Sequence, residues 1–473
     1  CLGKNFLILS LGEVISKILT FAAFAFLARI LGPGGFGTIE FALTLIFVMS
    51  QVVDFGSEKF GAVQVAQGDK IISNLTSHVI ILRLFFAGTS YIILTSLVLI
   101  LNKPAAVKQV ILLYGLSLFL LPGLLNWVFQ GLDKMQWVAI FSITRQFIFA
   151  LFIFLFIRSP EQLWIVALIE VCSVFGTIVL NVIIYRLQIE RFSFRFNFQF
   201  SKSILKQTLP IFLSQAMMAL KLHLPTILVG VLMIDNKGVG WFRASHRIVF
   251  ALNTFVMLYL FNLLPSIARY KGVNFNNLHR FMHHSMRVTS WITIFIGVIG
   301  MILSQPIING IYGAMFSEAG KIFQIMVWLI AIFILSGHYR YILIGFGHQK
   351  LDFRSTAIGA IVSIILCFTL IPAYGIAGAA WSMLIAEFFT WSFAYYFVRK
   401  EINLIPALPH IIKPGLISIG LIISVQFLQA YGFWLQGVLA ILAYFLTMIL
   451  FQPTIFTDIR ILAKGNQPAN VAN

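Results

Sequence analysis

Two kinds of residue in this chain could do chemistry where water is scarce. The first is a set of polar residues on one helical line: Glu40, Thr44, Gln51, Asp54 and Glu58 fall, at 100° per residue, within about 40° of one line. Carboxylates in a partly desolvated cavity can titrate near neutral pH, which makes Glu13, Glu40 and Asp54 candidate proton or cation carriers. The second is a set of eight basic residues inside apolar runs: Lys17, Arg29, Arg83, Arg145, Lys221, Arg243, Arg247 and Arg340. Leaving all of them in hydrocarbon, at about 2.5–3.5 kcal/mol each, would cost on the order of 20 kcal/mol, so they must be hydrated, paired or able to reach an interface.

Snorkelling accounts for residues near span ends, such as Arg29, Arg145, Arg243 and Arg340. Pairing accounts for Lys17 through Glu13 at i,i+4. Neither absorbs the whole set, because acidic residues within spans are confined to Glu13, Glu40, Asp54, Glu170 and Glu387, and Lys17 and Lys221 lie near mid-span. Cations in excess of carboxylates imply an anionic ligand. The candidate anion-binding set is therefore Lys17, Arg29, Arg83, Lys221, Arg243, Arg247 and Arg340, with His246 close to Arg243 and Arg247 on one helix.

The elements that must position these residues are set by composition. Of 473 residues, 60% are hydrophobic and 10% charged, and the mean hydropathy is +0.96. That excludes an ordinary soluble domain and predicts an all-α, polytopic membrane protein. The first apolar segment is too long for a cleavable signal and continues into the bundle. The missing initiator Met before Cys1 is expected to reflect trimming, not lipidation.

Apolar runs of about 20 residues fall at 5–30, 36–56, 76–101, 107–130, 137–157, 163–186, 207–233, 241–265, 284–304, 321–345, 354–372, 375–398, 411–430 and 432–455, predicting fourteen transmembrane helices. With the N-terminus cytoplasmic, inner segments carry twenty Lys and Arg and outer loops five: Lys103, Lys108, Arg158, Lys237 and Lys321. The positive-inside rule then places both termini in the cytoplasm, and the net charge of +18 reflects topology and not nucleic-acid binding. The inner segment Arg186 to Lys206 interleaves Phe with basic residues and is expected to lie against anionic lipid. Its counterpart, Arg269 to Arg287, carries His279, His283 and His284 without the Asp, Glu or Cys neighbours that a metal site would need. Cys1, Cys172 and Cys367 are far apart and suggest neither disulfides nor metal. The chain shows no Walker loop, HExxH or GxSxG, so no catalytic residue, cofactor or nucleotide hydrolysis is expected, and any energy would come from H+ or Na+ coupling.

An internal repeat organises the chain. Lys17, Phe36-Gly37, Glu40, Thr44, Phe47 and Gln51 align, with one gap, to Lys221, Val239-Gly240, Arg243, Arg247, Phe250 and Thr254. Two six-helix bundles related by a pseudo-two-fold axis are expected at 1–206 and 207–398, with two further helices and a cytoplasmic tail at 399–473, and a substrate site between parallel repeats. The Gly/Ala-rich run Tyr374 to Ala380 is read as close helix packing.

The run Arg29-Ile30-Leu31-Gly32-Pro33 to Phe36-Gly37, followed by an apolar helix ending in Asp54-Phe55-Gly56, resembles the opening of bacterial polysaccharide transporters. These are the O-antigen flippases of Wzx type within the multidrug/oligosaccharidyl-lipid/polysaccharide exporter superfamily. Ile371-Pro372 to Ala380, with Glu387, is similar to that family's twelfth helix. The resemblance implies alternating-access transfer of an undecaprenyl-diphosphate-linked oligosaccharide from the cytoplasmic to the periplasmic face of the bacterial inner membrane. It implies as partners the membrane, the lipid-linked oligosaccharide, a polysaccharide polymerase and a chain-length regulator, with no nucleic acid. The candidate cations would form a ladder for the diphosphate, Arg83 and Arg340 inner, Lys17 and Lys221 central, Arg243 and Arg247 outer, with the prenyl tail against spans 13 and 14. The alternatives are a multidrug cation antiporter of the same superfamily, which would rely on cavity carboxylates, a peptidoglycan-precursor flippase, and a structural membrane subunit.

Overall fold

The computed structural model describes residues 2–68, 72–189, 197–233, 235–270, 275–402, 408–426 and 432–463. The segment 190–196, central to the expected interfacial stretch, lies outside them, as do Lys271 and the tail from Lys464. The chain forms two compact units, Cys1–Arg243 and Ala244–Asn473. In the first lie α1 (Leu2–Asp54), α2 (Ser57–Ala66), α3 (Ile72–Ile100), α4 (Ala105–Gly115), α5 (Asn126–Gly131), α6 (Met135–Phe156), α7 (Leu163–Gln188) and α8 (Phe198–Leu232). Helix α9 (Lys237–Tyr270) starts in the first unit and continues in the second. The second holds α10 (Phe275–Ile302), α11 (Ser304–Tyr312), α12 (Ser317–Met326), α13 (Trp328–Gly345), α14 (Gln349–Ile402), α15 (Leu408–Gln426), α16 (Phe433–Phe451) and α17 (Ile455–Ala463).

Helix α1 has 53 residues. Drawn straight it would run about 80 Å, far beyond the ~30 Å hydrocarbon core. It breaks at Gly32, with φ 64° and ψ 179°, a region closed to residues bearing a Cβ. Pro33 then opens the second arm, where its fixed φ and missing N–H are tolerated. The chain folds back so that the rings of Phe24 and Phe36, twelve positions apart, lie 6.3 Å from each other. Helix α14 is a second such hairpin, broken at Gly375 (φ 57°). Its arms meet where Cys367 Sγ and Ser382 Oγ approach to 3.2 Å and where a Cβ on Gly359 would sit 1.9 Å from Thr390 Oγ1. A Cβ on Gly378 would lie 2.1 Å from Leu370 O, so the Gly/Ala run does serve close packing.

Among the described residues, eleven helical stretches are long and apolar enough to cross a membrane, and Pro409–Ser424 is a shorter apolar helix. Counting each hairpin as two passes and adding the shorter helix gives the fourteen passes that the sequence predicts. Apolar side chains such as Leu99, Ile100 and Phe85 stand exposed on the outside, as lipid-facing residues should. In the first unit Phe60, Leu75, Trp127, Phe141 and Tyr185 share a core. In the second, the buried Tyr444 donates its hydroxyl to Trp291 O at 2.8 Å and fixes α16 on α10.

The repeat-equivalent glycines meet. A Cβ on Gly37 would lie 1.9 Å from Asn236 O and 2.7 Å from Gly240 N, and a Cβ on Gly240 would lie 2.1 Å from Pro33 O. Backbone crosses backbone here, which only glycine permits.

Candidate functional site

In the first unit the polar stripe behaves as two sites. Its N-terminal half is packed, with Glu40 at 0% and Thr44 at 1% exposure, so it does not form the open cavity wall that the sequence pattern suggests. Glu40 Oε2 accepts from Arg243 Nε at 2.7 Å, and Thr44 Oγ1 donates to Glu40 O at 2.7 Å. His223 lies beside this pair, its ring 4.3 Å from Phe47. The C-terminal half stops earlier than the pattern implies. Phe55 and Gly56 have φ of 46° and 74°, so α1 ends at Asp54 and Glu58 belongs to α2.

The sharp turn is organised by Asp54. Its Oδ1 accepts from the Glu58 N–H at 3.0 Å and from Ser57 Oγ at 3.1 Å, supplying α2 with the N-terminal acceptor that a helix start requires. The same oxygen takes the Arg83 guanidinium, whose Nε donates to Ser57 Oγ at 2.7 Å. Burial pushes the Glu58 carboxyl above its ordinary value of 4.5, a rise that Asp54 reinforces and Arg83 and Lys59 oppose.

Two further basic residues are engaged with acceptors. Arg145 pairs with Glu170. Lys103, which the sequence places simply in an outer loop, is buried and donates to Met233 O at 2.6 Å and Asn236 Oδ1 at 2.8 Å. Asn236 in turn donates to Thr38 Oγ1 at 2.9 Å. Burial lowers the Lys103 pKa, and Asp235 partly restores it. Lys17 and Arg29 are exposed and Lys221 is half-buried.

In the second unit Arg340 donates through Nε to Asp352 Oδ1 at 2.7 Å. Arg247 is half-buried one turn beyond Arg243 on α9. A buried polar chain joins α9, α10 and α13: Tyr259 Oη and Ser285 Oγ lie 2.5 Å apart, and Ser285 Oγ and His338 Nε2 2.8 Å apart.

Arg145, Arg243 and Arg340, for which snorkelling was an option, are thus all bound to carboxylates, as is Arg83. The sequence could not show this. The partners lie 12 to 203 positions away, and the nearest of them, Asp352, falls outside the apolar run that holds Arg340. The chemical result is a set of arginines held in a low-dielectric interior by anions for which a phosphate can substitute.

Hairpinned apolar helices carrying arginine–carboxylate pairs define a multi-pass α-helical membrane protein. Residues 2–271 match the polysaccharide biosynthesis protein family, and the chain belongs to that family. It is 24% identical over 415 residues to a "putative O-antigen transporter" of Shigella dysenteriae, covering 85% of this chain and 100% of that one. The corresponding protein of Escherichia coli K12 is 23% identical, covering 85% and 97%. Among solved structures, a lipid II flippase MurJ in an inward closed conformation aligns with a TM-score of 0.77 at 16% identity, over 95% of this chain and 100% of that one. An inward-facing multidrug resistance MATE transporter aligns with a TM-score of 0.65 at 14% identity, over 84% and 94%.

Proposed function

We propose that this protein flips a diphosphate-linked prenyl oligosaccharide from the cytoplasmic to the periplasmic leaflet of the bacterial inner membrane by alternating access. Two repeats at 1–206 and 207–398 would move against each other, and both termini would be cytoplasmic. The family membership and the names of the curated relatives support the substrate class. The polymerase and chain-length regulator of the same polysaccharide are the partners that this role calls for. No step in it requires bond cleavage by this chain.

The carrying observation is the buried Arg243–Glu40 pair. Removing one partner of a buried pair costs about 3–5 kcal/mol, more than the roughly 1.5–3 kcal/mol of one charge-assisted hydrogen bond to phosphate. Arg243 therefore exchanges Glu40 for substrate only when several cations meet the diphosphate together, or when Glu40 takes up a proton. The first route calls on Lys17, Lys221 and Arg247, and the second makes Glu40 the coupling residue.

The test is flipping of a fluorescent short-chain prenyl-diphosphate sugar in proteoliposomes. Lys221→Ala with Arg247→Ala should abolish it, while Lys202→Ala, exposed on α8, should leave it intact. Normal flipping by that double variant together with failure of Glu40→Gln alone would point to a cationic substrate instead.

A further inference from the structure

The second unit holds a cavity of about 230 Å³ that the transport reading does not use, formed by α10, α15 and the turn after α16. One wall is a single face of α10, where His283, Arg287 and Trp291 recur at i, i+4 and i+8. The other presents His410 and Lys413 of α15, and Gln452 closes one side.

The charges of this cavity are unevenly matched. Its nearest carboxylate is Asp458 of α17, 2% exposed. That carboxylate is already shared: Oδ1 lies 2.7 Å from His284 Nδ1, and Oδ2 accepts from Arg287 Nη1 at 3.1 Å. Arg287 also donates to Thr454 Oγ1 at 3.2 Å and to His283 Nε2, so its guanidinium is fixed in place. Lys413 makes no hydrogen bond or ion pair with the described residues. His410 is 5% exposed, its ring 4.3 Å from that of His283, and its Nε2 is buried without a hydrogen-bond partner. A buried polar atom left unpaired costs about 1–3 kcal/mol, so the site is built for something that supplies the missing bond. Among the described residues no group of three or more His, Cys, Asp or Glu could hold a metal ion. A cationic ligand would in any case meet Arg287 and Lys413.

The geometry points to a phosphate-binding site for the headgroup of an anionic phospholipid. A tetrahedral oxyanion offers acceptors to Lys413, to the remaining guanidinium protons of Arg287 and to the Nε2–H of a neutral His410, and Gln452 can serve a polar headgroup. The volume is below that of a complete small-molecule site, which fits a headgroup whose chains stay outside. The chains have a place to lie: Ile412, Leu416, Ile419 and Ile423 form an exposed apolar line on α15 beginning beside Lys413. Basic pockets between membrane helices favour anionic headgroups in this manner. With both termini inside, the leaflet is the cytoplasmic one. Because Asp458 ties α17 to the wall of the cavity, an occupied site would also secure the C-terminal helices. The inference does not depend on what the protein transports.

The protein should be reconstituted in nanodiscs of phosphatidylcholine with or without 20% phosphatidylglycerol, and retained lipid read by native mass spectrometry. The parent should retain phosphatidylglycerol selectively. Lys413→Glu, an exposed position, should lose that retention about tenfold or more, whereas Lys202→Glu should not. Equal loss in both variants, or no selectivity in the parent, would overturn the site. Stabilisation of the detergent-purified parent by inorganic phosphate as strong as by phosphatidylglycerol would overturn the lipid assignment in favour of a soluble anion. Preferential displacement of phospholipid by farnesyl diphosphate would overturn it in favour of the carrier lipid.

Discussion

The Glu40–Arg243 pair can be tested by a double-mutant cycle. Glu40 is wholly buried, its partner's side chain is 12% exposed, and 2.7 Å separates Nε from Oε2. Glu40→Gln removes the charge but leaves an acceptor. Of the roughly 3–5 kcal/mol lost when a buried pair loses one partner, a hydrogen bond from the charged guanidinium to the neutral amide recovers about 1.5–3 kcal/mol. A net destabilisation of about 1–3 kcal/mol is therefore expected. Arg243→Gln should cost a similar amount by stranding the carboxylate. Combining the two leaves two amides that can bond each other, so the double variant should be more stable than the sum predicts by about 0.5–3 kcal/mol. The measurement is denaturant unfolding in detergent, with glycan export scored in parallel in cells. Stability should return in the double variant while export does not, because in the proposed mechanism Arg243 also serves phosphate. Additivity within about 0.5 kcal/mol would refute the coupling of the pair. Normal export by the double variant would refute Arg243 as a ligand.

Glu58 should confer a pH dependence of its own. Its pKa is raised in the folded protein, so the folded state binds the proton more tightly, and its contribution to stability falls as pH rises above the ordinary 4.5. Glu58→Gln should therefore match the parent in stability near pH 4.5 and exceed it at pH 7.5; a gain confined to acid pH would contradict the burial argument. Lys103→Met keeps the aliphatic stem but loses two charge-assisted bonds, and should cost about 2–4 kcal/mol in the same unfolding assay; an unchanged midpoint would show that the loop needs no lysine. For orientation, cysteines at Gly34 and Lys237 should react with an impermeant maleimide added outside intact spheroplasts, and a cysteine at Lys202 only after lysis. Labelling at Lys202 from outside would invert the topology.

What the sequence reveals is what repeats or what breaks a period. Span number followed from apolar length, and the gaps after runs 5–30 and 354–372 fall at or beside Gly32 and Gly375, which take positive φ, although the run around Gly375 reads in the sequence only as close packing. The alignment of Gly37 with Gly240 identified two positions that prove to touch. The polar stripe was legible as a pattern but not as an environment. Helical periodicity gives an angle around an axis, and whether that angle faces a cavity or a neighbouring helix depends on tertiary packing. The end of the stripe was missed because Phe55 takes a left-handed φ that its residue type does not advertise. Lys103 was invisible for a different reason: its acceptors are a backbone carbonyl and an asparagine in another loop, which leave no charge pattern to read.

The Gly37–Gly240 crossing has a consequence for how the chain is made. Gly37 and Glu40 each wait for a partner 203 positions downstream, the one for Gly240 and the other for Arg243. At about 5–20 residues per second, synthesis of that intervening stretch takes on the order of 10–40 seconds. Throughout that interval the second arm of α1 is in the membrane with an open backbone groove at Gly37 and a carboxyl group that has yet to meet Arg243. The N-terminal unit cannot be finished at the moment its six spans have emerged. It stays dependent on the ribosome until α9 begins, and for that time Glu40 is a handle for any insertase or protease that monitors uncompensated polar groups in the bilayer.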